Sequence, residues 1–206
     1  MEVSSRKKEI SNIFVAISKI ERIEEQELVA SYSFPRLYGH YEKFIEEKFC
    51  KLVNKILQED QLKLNNLKKK LMYYLLFINF KDMGEEKFFN NYMNLNQDLS
   101  IKELKKEKIE SHIKNTNVGK NFNYLSSIFE LDDDEFSRKL MTLKLKISLL
   151  GKKYAARNHI VHGHLDYTPL TFEEFEMIKN MIEEILDLIN SIFTYFLSNN
   201  LYLDNH

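Results

Sequence analysis

The sequence contains few of the residues that interrupt helices or cross-link small folds. Its 206 residues include five glycines, two prolines, one cysteine and no tryptophan. Because all-β domains need turn residues about every ten positions, this scarcity excludes a β-sandwich or a β-barrel. The single cysteine, Cys50, excludes an intrachain disulfide framework and is typical of a reducing compartment. We therefore predict an all-α protein that resides in the cytoplasm.

Targeting and membrane-spanning segments are also missing from the pattern. The N-terminal stretch MEVSSRKKEI has no apolar core of the kind that secretory signals carry. The longest wholly apolar run, Leu71 to Ile78, is too short to span a bilayer, so we expect no membrane association. Lysine and arginine number 30 and aspartate and glutamate 31, giving a net charge of −1. Overall charge therefore gives no argument for a nucleic-acid partner, and only its distribution can.

Apolar residues recur at helical spacing over most of the chain. The pattern predicts helices from near Ser4, over Glu25 to Leu57, Leu62 to Phe80, a short one within 81–99, Ser100 to Ile113, 121 to 130, Asp132 to His162 and Phe172 to Leu197. The three aspartates at 132–134 favour a helix start, because carboxylates suit the positive N-terminal end of the helix dipole. Pro35 predicts a kink or break in the second helix, since proline lacks an amide donor and clashes with the preceding turn. We expect a single domain over residues 1–206, with a variable insertion at 81–120.

Two capping boxes and one regular apolar seam give the helix assignments more detail. Ser100 with Glu103, and Thr171 with Glu174, have the Ser/Thr-x-x-Glu spacing that favours a helix start. In the last helix the apolar residues alternate three and four apart, at Phe175, Ile178, Ile182, Ile185, Ile189, Ile192 and Phe196. Such a seam predicts either a helix that crosses the domain core or a helix that pairs with a second copy.

The near-neutral total conceals a basic stretch. From Phe136 to Leu165 there is no acidic residue, and the remainder of the chain carries −8. The stretch holds seven cations, Arg138, Lys139, Lys144, Lys146, Lys152, Lys153 and Arg157, and three of the six histidines, His159, His162 and His164. It is either a solvated helix face neutralised by acidic neighbours, or a local field for a polyanion, most simply RNA.

The basic stretch ends in the sequence RNHIVHGH, from Arg157 to His164. An arginine binds a phosphate through a forked pair of hydrogen bonds and stabilises charge that builds on it. A histidine titrates near neutrality and can transfer a proton. Together they are sufficient for metal-independent RNA cleavage, in which the 2′-hydroxyl attacks the adjacent phosphorus. Asn158 lies one helical turn before His162, where it can orient the imidazole or contact the phosphate.

At this point the sequence resembles the HEPN superfamily (higher eukaryotes and prokaryotes nucleotide-binding). These are helical-bundle proteins, and many are ribonucleases with an Arg-x(4–6)-His motif, often Arg-Asn-x-x-x-His. Arg157, Asn158 and His162 match that motif, and YAARNHIVHGH is similar to the RNxIAHG form of stand-alone bacterial members. The segment LYGHYEKFIEEKF, residues 37–49, is similar to the early helix of one such family, which carries an acidic residue at the position of Glu42.

The resemblance implies a helical bundle with long N-terminal, motif-bearing and C-terminal helices. It implies a homodimer that brings two motifs into one cleft, and a role as a toxin or a phage-defence effector, with an antitoxin protein as a further partner. Arg157 would then stabilise the transition-state phosphate, His162 would act as general acid or base, and Asn158 would orient. Glu42 and His164 would support the site, and RNA would be held by Lys146, Lys152 and Lys153. Glu42 would do so by pairing with Arg157; otherwise it is an exposed charge on its helix.

Two residues depart from the family pattern. His164 also satisfies the six-residue spacing from Arg157, so spacing alone does not single out His162. Some toxins paired with a nucleotidyltransferase antitoxin have a tyrosine two residues beyond the histidine, whereas Tyr167 lies five beyond His162 and three beyond His164.

Other functions compete with the ribonuclease interpretation. His159, His162 and His164 could bind a metal, but neither cysteine nor an HExxH pattern accompanies them, so we expect no metal and no cofactor. Arg157 and His162 could be a structural cap, because cationic groups complement the C-terminal end of a helix dipole. A catalytically silent module that binds RNA, a nucleotide or a protein partner is the main alternative, and a purely structural helical protein is the third.

Overall fold

The described part of the computed structural model covers residues 2–59, 61–80, 100–116, 122, 127–129, 134–161 and 169–204, with backbone alone at 103 and 152–161. These residues form six α-helices: α1 (Val3–Ser18), α2 (Ile23–Leu57), α3 (Lys69–Phe80), α4 (Lys106–Asn115), α5 (Asp134–Val161) and α6 (Phe172–Ser198). Two short 3₁₀ helices, Leu64–Asn66 and Ile101–Glu103, accompany them. Extended pairing within these ranges is limited to two isolated bridges, Lys63 with Ser100 and Leu67 with Leu203. The all-α prediction is confirmed.

Contacts divide the chain into two compact units. The first unit contains Met1–Phe44 and Asp133–Ile192, and the second contains Ile45–Asp132 and Phe193–His206. The long helices α2 and α6 contribute residues to both units. The prediction of one domain over 1–206 with an insertion at 81–120 stays a prediction.

The first unit is built on the apolar faces of α1, α2, α5 and α6. Its fully buried side chains include Ile10, Phe34, Leu37, Phe175, Ile182 and Ile185. Phe14 of α1 stacks on Phe172 of α6 with ring centroids 5.0 Å apart, and Lys7 forms an ion pair with Asp187 at 2.5 Å. These contacts hold α1 against α6, and they place the motif-bearing helix α5 in the same unit as both.

The second unit closes around the end of α6. The side-chain ammonium of Lys55 donates to the Leu197 carbonyl oxygen at 2.9 Å and to Asn200 Oδ1 at 3.0 Å. The same ammonium lies 5.4 Å from the centre of the Tyr202 ring, and the Tyr202 hydroxyl donates to Glu59. A cation at the last carbonyls of a helix satisfies acceptors that have no partner within the helix, so Lys55 fixes the end of α6.

The apolar seam of α6 is buried within the chain. Each of its seven positions, from Phe175 to Phe196, has 3% or less of its surface exposed. The seam therefore serves the core, and of the two interpretations of its pattern the core helix is the one observed.

Of the kink or break expected at Pro35, the break is wrong, because α2 continues through Pro35 from Ile23 to Leu57, and the kink stays a prediction. A proline removes one backbone hydrogen bond and crowds one turn, while the neighbouring bonds of the helix remain. Phe34 and Leu37, on either side, are fully buried. The Ser31 hydroxyl, one turn earlier, accepts from the Leu170 amide at 2.7 Å. Burial of these flanking residues stabilises the helical path that the proline disfavours.

Two predicted helix starts are also wrong. The helix expected from Leu62 begins only at Lys69, after the 3₁₀ helix Leu64–Asn66. The helix expected from Ser100 is interrupted, since Ser100 Oγ accepts from Lys102 N and caps only the 3₁₀ helix. The Lys105 amide then donates to Asn79 Oδ1 at 2.9 Å, and α4 follows. The short helix expected in 81–99 lies outside the described residues, as does most of the one expected over 121–130.

The second capping box is confirmed and carries a stability prediction. The Glu174 amide donates to Thr171 Oγ1 at 3.1 Å, and the Thr171 amide donates to Glu174 Oε2 at 3.2 Å. Thr171→Ala should lower the free energy of unfolding by about 1 kcal/mol, the usual cost of a lost N-cap. Urea unfolding measures this, with Thr171→Ser as the matched control that keeps the hydroxyl. Equal stability of the alanine and serine variants would show that the cap contributes nothing.

Candidate nucleic-acid interface

The motif-bearing helix α5 begins at Asp134, as the aspartates at 132–134 predict, and continues to Val161. Gly151 does not interrupt it. Arg157 and Asn158 therefore belong to its last two turns. His162, Gly163, His164 and Tyr167 lie outside the described residues, so their predicted roles stay predictions.

Helical register relates position 157 to Leu143 and Leu150 of α5. Residues seven apart lie about 20° apart around a helix axis, and Leu143, Leu150 and Arg157 are spaced in this way. Leu143 and Leu150 are buried, with 2% and 1% of their surface exposed. By this spacing, position 157 of the backbone continues the line of Leu143 and Leu150 along α5.

The predicted RNA-binding lysines fall in two different rows of α5. Lys146 and Lys153 are seven residues apart and share one row. Lys152 is seven residues after Leu145 and continues the line of that residue along the backbone of α5. The three lysines therefore do not form one line along the helix.

Some cations of the basic stretch have acidic partners in the first unit. The Lys146 ammonium pairs with the Glu184 carboxylate of α6, and Lys139 pairs with Glu135 at 2.6 Å. Arg138 and Lys144 are exposed and form no ion pair among the described residues. Acidic neighbours therefore neutralise part of the basic stretch. Two of its cations, Arg138 and Lys144, remain exposed to solvent.

Glu42 lies on α2 and is partly exposed. Its carboxylate contributes to raising the pKa of the neighbouring Tyr41 phenol, after burial of the phenol and the effect of Tyr38. Each of these disfavours the phenolate, so Tyr41 stays neutral beside Glu42. The pairing of Glu42 with the Arg157 guanidinium lies outside the described side chains.

A buried cluster at the contact of α1 with α2 was missed by the sequence reasoning. The Arg6 guanidinium is 3% exposed, donates to the His40 carbonyl oxygen at 3.2 Å and lies 5.5 Å from the centre of the Phe44 ring. His40 Nε2 lies 3.6 Å from a Glu9 carboxylate oxygen. The available signal was weak: Arg6 lies one turn before Ile10, on the apolar side of an otherwise ordinary amphipathic helix.

The His40 imidazole gives this cluster a pH dependence. Burial lowers its pKa below 6.5, Glu9 opposes the shift, and Arg6 and Arg36 add to it. The unfolded chain therefore binds a proton more readily than the folded one, so stability is full above about pH 6.5 and falls as the pH drops through the folded pKa. We expect the free energy of unfolding of the His40→Gln chain, measured with urea, to change less between pH 7 and pH 5 than that of the unaltered chain. An equal change in the two chains would show that His40 is not responsible.

The described residues show neither a metal-binding group nor a helix able to cross a membrane. Among those residues no group of three or more histidine, cysteine, aspartate or glutamate side chains is placed to hold a metal ion. None of the helices in the same ranges combines the length and the apolar character that crossing a bilayer requires.

Comparison with known proteins finds one family. The model of the family described as RiboL-PSP-HEPN matches residues 1–196, which include the whole first unit and all of the second except its last ten residues. Comparisons with curated proteins and with solved structures find no match. The matching family is a HEPN-superfamily domain, so the resemblance read from the motif is confirmed. The match indicates a nucleotide-binding or RNase-like module.

Proposed function

The chain belongs to the RiboL-PSP-HEPN family, and we propose that it is a metal-independent endoribonuclease of the cytoplasm, acting as a toxin or a phage-defence effector. One observation carries the proposal: α5, which has no acidic residue from Phe136 onward, holds Arg157 and Asn158 in its last turns, shortly before His162 in the sequence. Arginine and histidine supply the phosphate contact and the proton transfer that cleavage needs.

The reaction needs no group from outside the protein and the RNA. His162 takes the proton of the ribose 2′-hydroxyl, whose oxygen then attacks the adjacent phosphorus, and Arg157 stabilises the negative charge on the nonbridging oxygens. The bond from phosphorus to the 5′-oxygen of the next nucleotide breaks, and the protonated imidazole of His162 gives its proton to that oxygen. The products are a 2′,3′-cyclic phosphate and a 5′-hydroxyl. Asn158 orients the imidazole, and Glu42 and His164 support the site.

The geometry of α5 favours a site shared by two chains. Positions 157 and 162 are five residues apart, which is about 140° around a helix axis. A regular helix running through both positions would therefore direct the two residues to different sides. A homodimer with both motifs near its axis places Arg157 of one protomer beside His162 of its partner, with Lys146, Lys152 and Lys153 along the RNA backbone.

A catalytically silent binding module is the second candidate. It is favoured by the ion pairs of Lys146 with Glu184 and of Lys139 with Glu135, which reduce the field available to an RNA substrate. Such a module would keep the fold and bind RNA, a nucleotide or a protein such as an antitoxin, without breaking a bond.

A nuclease assay separates the two candidates. We expect the purified chain to cleave a structured RNA but not a DNA of the same sequence, at the same rate with and without EDTA. The His162→Ala chain, purified in parallel, controls for contaminating nucleases, because it should bind the same columns and leave RNA intact. Binding of RNA without cleavage would favour the silent module, and cleavage that EDTA abolishes would contradict the proposed chemistry.

A further inference from the structure

The face of α5 opposite its buried row carries three large apolar side chains in solvent. Met141, Leu145 and Leu149 are 74%, 61% and 41% exposed. They lie at successive intervals of four residues, so they form one stripe along about 12 Å of helix. Such a row of exposed aliphatic groups is costly in water and marks an interaction surface when it is contiguous.

Cations lie along and beside this stripe. Arg138 lies seven residues before Leu145, so it shares the exposed row within about 20°. Lys144 lies beside the stripe. Arg138 and Lys144 are exposed and have no ion pair in the described part of the chain, whereas Lys139 and Lys146 are paired with glutamates. The surface therefore has three apolar side chains at its centre, Arg138 at one end and Lys144 at one side.

We propose that this stripe docks an acidic amphipathic helix of a partner protein. The partner's apolar residues, spaced i, i+4, i+8, would pack on Met141, Leu145 and Leu149, as in other cases of helix recognition. Its glutamates or aspartates would face Arg138 and Lys144. Charge complementarity of this kind sets the orientation of the partner and the rate of its association.

Charge argues against a second copy of α5 as the occupant. No acidic residue occurs between Phe136 and Leu165, so two α5 stripes face to face would bring only like charges together. RNA is also a poor fit to the centre of the surface, because RNA-binding proteins use aromatic rings or guanidinium planes to stack bases. Met141, Leu145 and Leu149 offer neither. The inference does not depend on ribonuclease activity.

The test uses a defined probe, a fluorescein-labelled 18-residue peptide of alanine and glutamate with leucines spaced i, i+4, i+8 on one face. Fluorescence anisotropy should show that it binds the full chain, and that a peptide of equal charge with serine at the leucine positions does not. Leu145→Ser should weaken binding at least about fivefold, the effect of losing a contact worth about 1 kcal/mol. Met177→Ser is the matched control, since Met177 on α6 is also 61% exposed.

A charge variant completes the test. Arg138→Gln with Lys144→Gln should weaken binding of the acidic peptide and reduce its salt dependence. Absence of binding to the unaltered chain, or equal losses in Leu145→Ser and Met177→Ser, would overturn the proposal. The proposal would also be overturned if Leu145→Ser left peptide binding unchanged and reduced only self-association in light scattering, or only binding to anionic vesicles or to single-stranded RNA. Circular dichroism confirms that each variant is folded.

Discussion

Replacing His162 with alanine should reduce RNA cleavage by at least about 10²-fold, the usual cost of losing a general acid–base group. His162 is assigned this role because it follows Asn158 by four residues and directly precedes Gly163. Proton transfer needs a donor–acceptor distance held near 3 Å, and we expect the backbone to fix the residue before the glycine more closely than the residue after it. His164→Ala should therefore retain most of the activity. Initial rates on one RNA substrate measure both.

Arg157→Ala should cause a loss of similar size, and Arg157→Lys should not restore activity. A lysine keeps the charge but lacks the planar fork that contacts two phosphate oxygens. Because a chain that fails to fold is also inactive, unfolding followed by circular dichroism must be compared for each variant. If His164→Ala were inactive while His162→Ala stayed active and folded, the functional spacing would be six residues and the assignment would be wrong.

Two inactive variants, Arg157→Ala and His162→Ala, should restore activity when they share a dimer. If Arg157 of one protomer works with His162 of its partner, a mixed dimer keeps one of its two composite sites. Since random pairing makes half of the dimers mixed, we expect about a quarter of the unaltered rate after the two chains are coexpressed with different tags. Each variant expressed alone gives the background.

The activity of the mixed dimers also shows whether the site is shared between two protomers or complete in each. Activity that remains at background in purified mixed dimers would show that each protomer holds a complete site. A chain that is monomeric at micromolar concentration in light scattering and still fully active would contradict the shared site altogether.

Sequence patterns predicted the elements whose signals are local. The start of α5 at the aspartates and the Thr171–Glu174 box that opens α6 depend on groups within one helical turn. The apolar seam of α6 was also recognisable in the sequence, because residues that recur three and four apart lie on one face of a helix. Local signals were insufficient where distant groups decide, as at Pro35, where buried neighbours stabilise the helix, and at Lys105, whose amide bonds to Asn79 from α3.

The candidate site was predictable as a motif but not as a set of partners. Arg157, Asn158 and their position at the end of a basic helix follow from the sequence alone. The pairing of Lys146 with Glu184 joins residues 38 positions apart, and the Arg6–His40 contact joins residues 34 apart. No periodicity or spacing rule reports such contacts, because they depend on which helix faces pack together.

The chemistry of the cut RNA ends tests the central claim most directly. Mass spectrometry of the products from a single-site RNA should show a 2′,3′-cyclic phosphate or 3′-phosphate on one fragment and a 5′-hydroxyl on the other. The same RNA with one 2′-deoxyribose on the 5′ side of the cut should stay intact, because the attacking oxygen is missing. A 5′-phosphate on the downstream fragment, or cleavage of the deoxy substrate at the unaltered rate, would contradict attack by the 2′-hydroxyl and with it the assigned roles of Arg157 and His162.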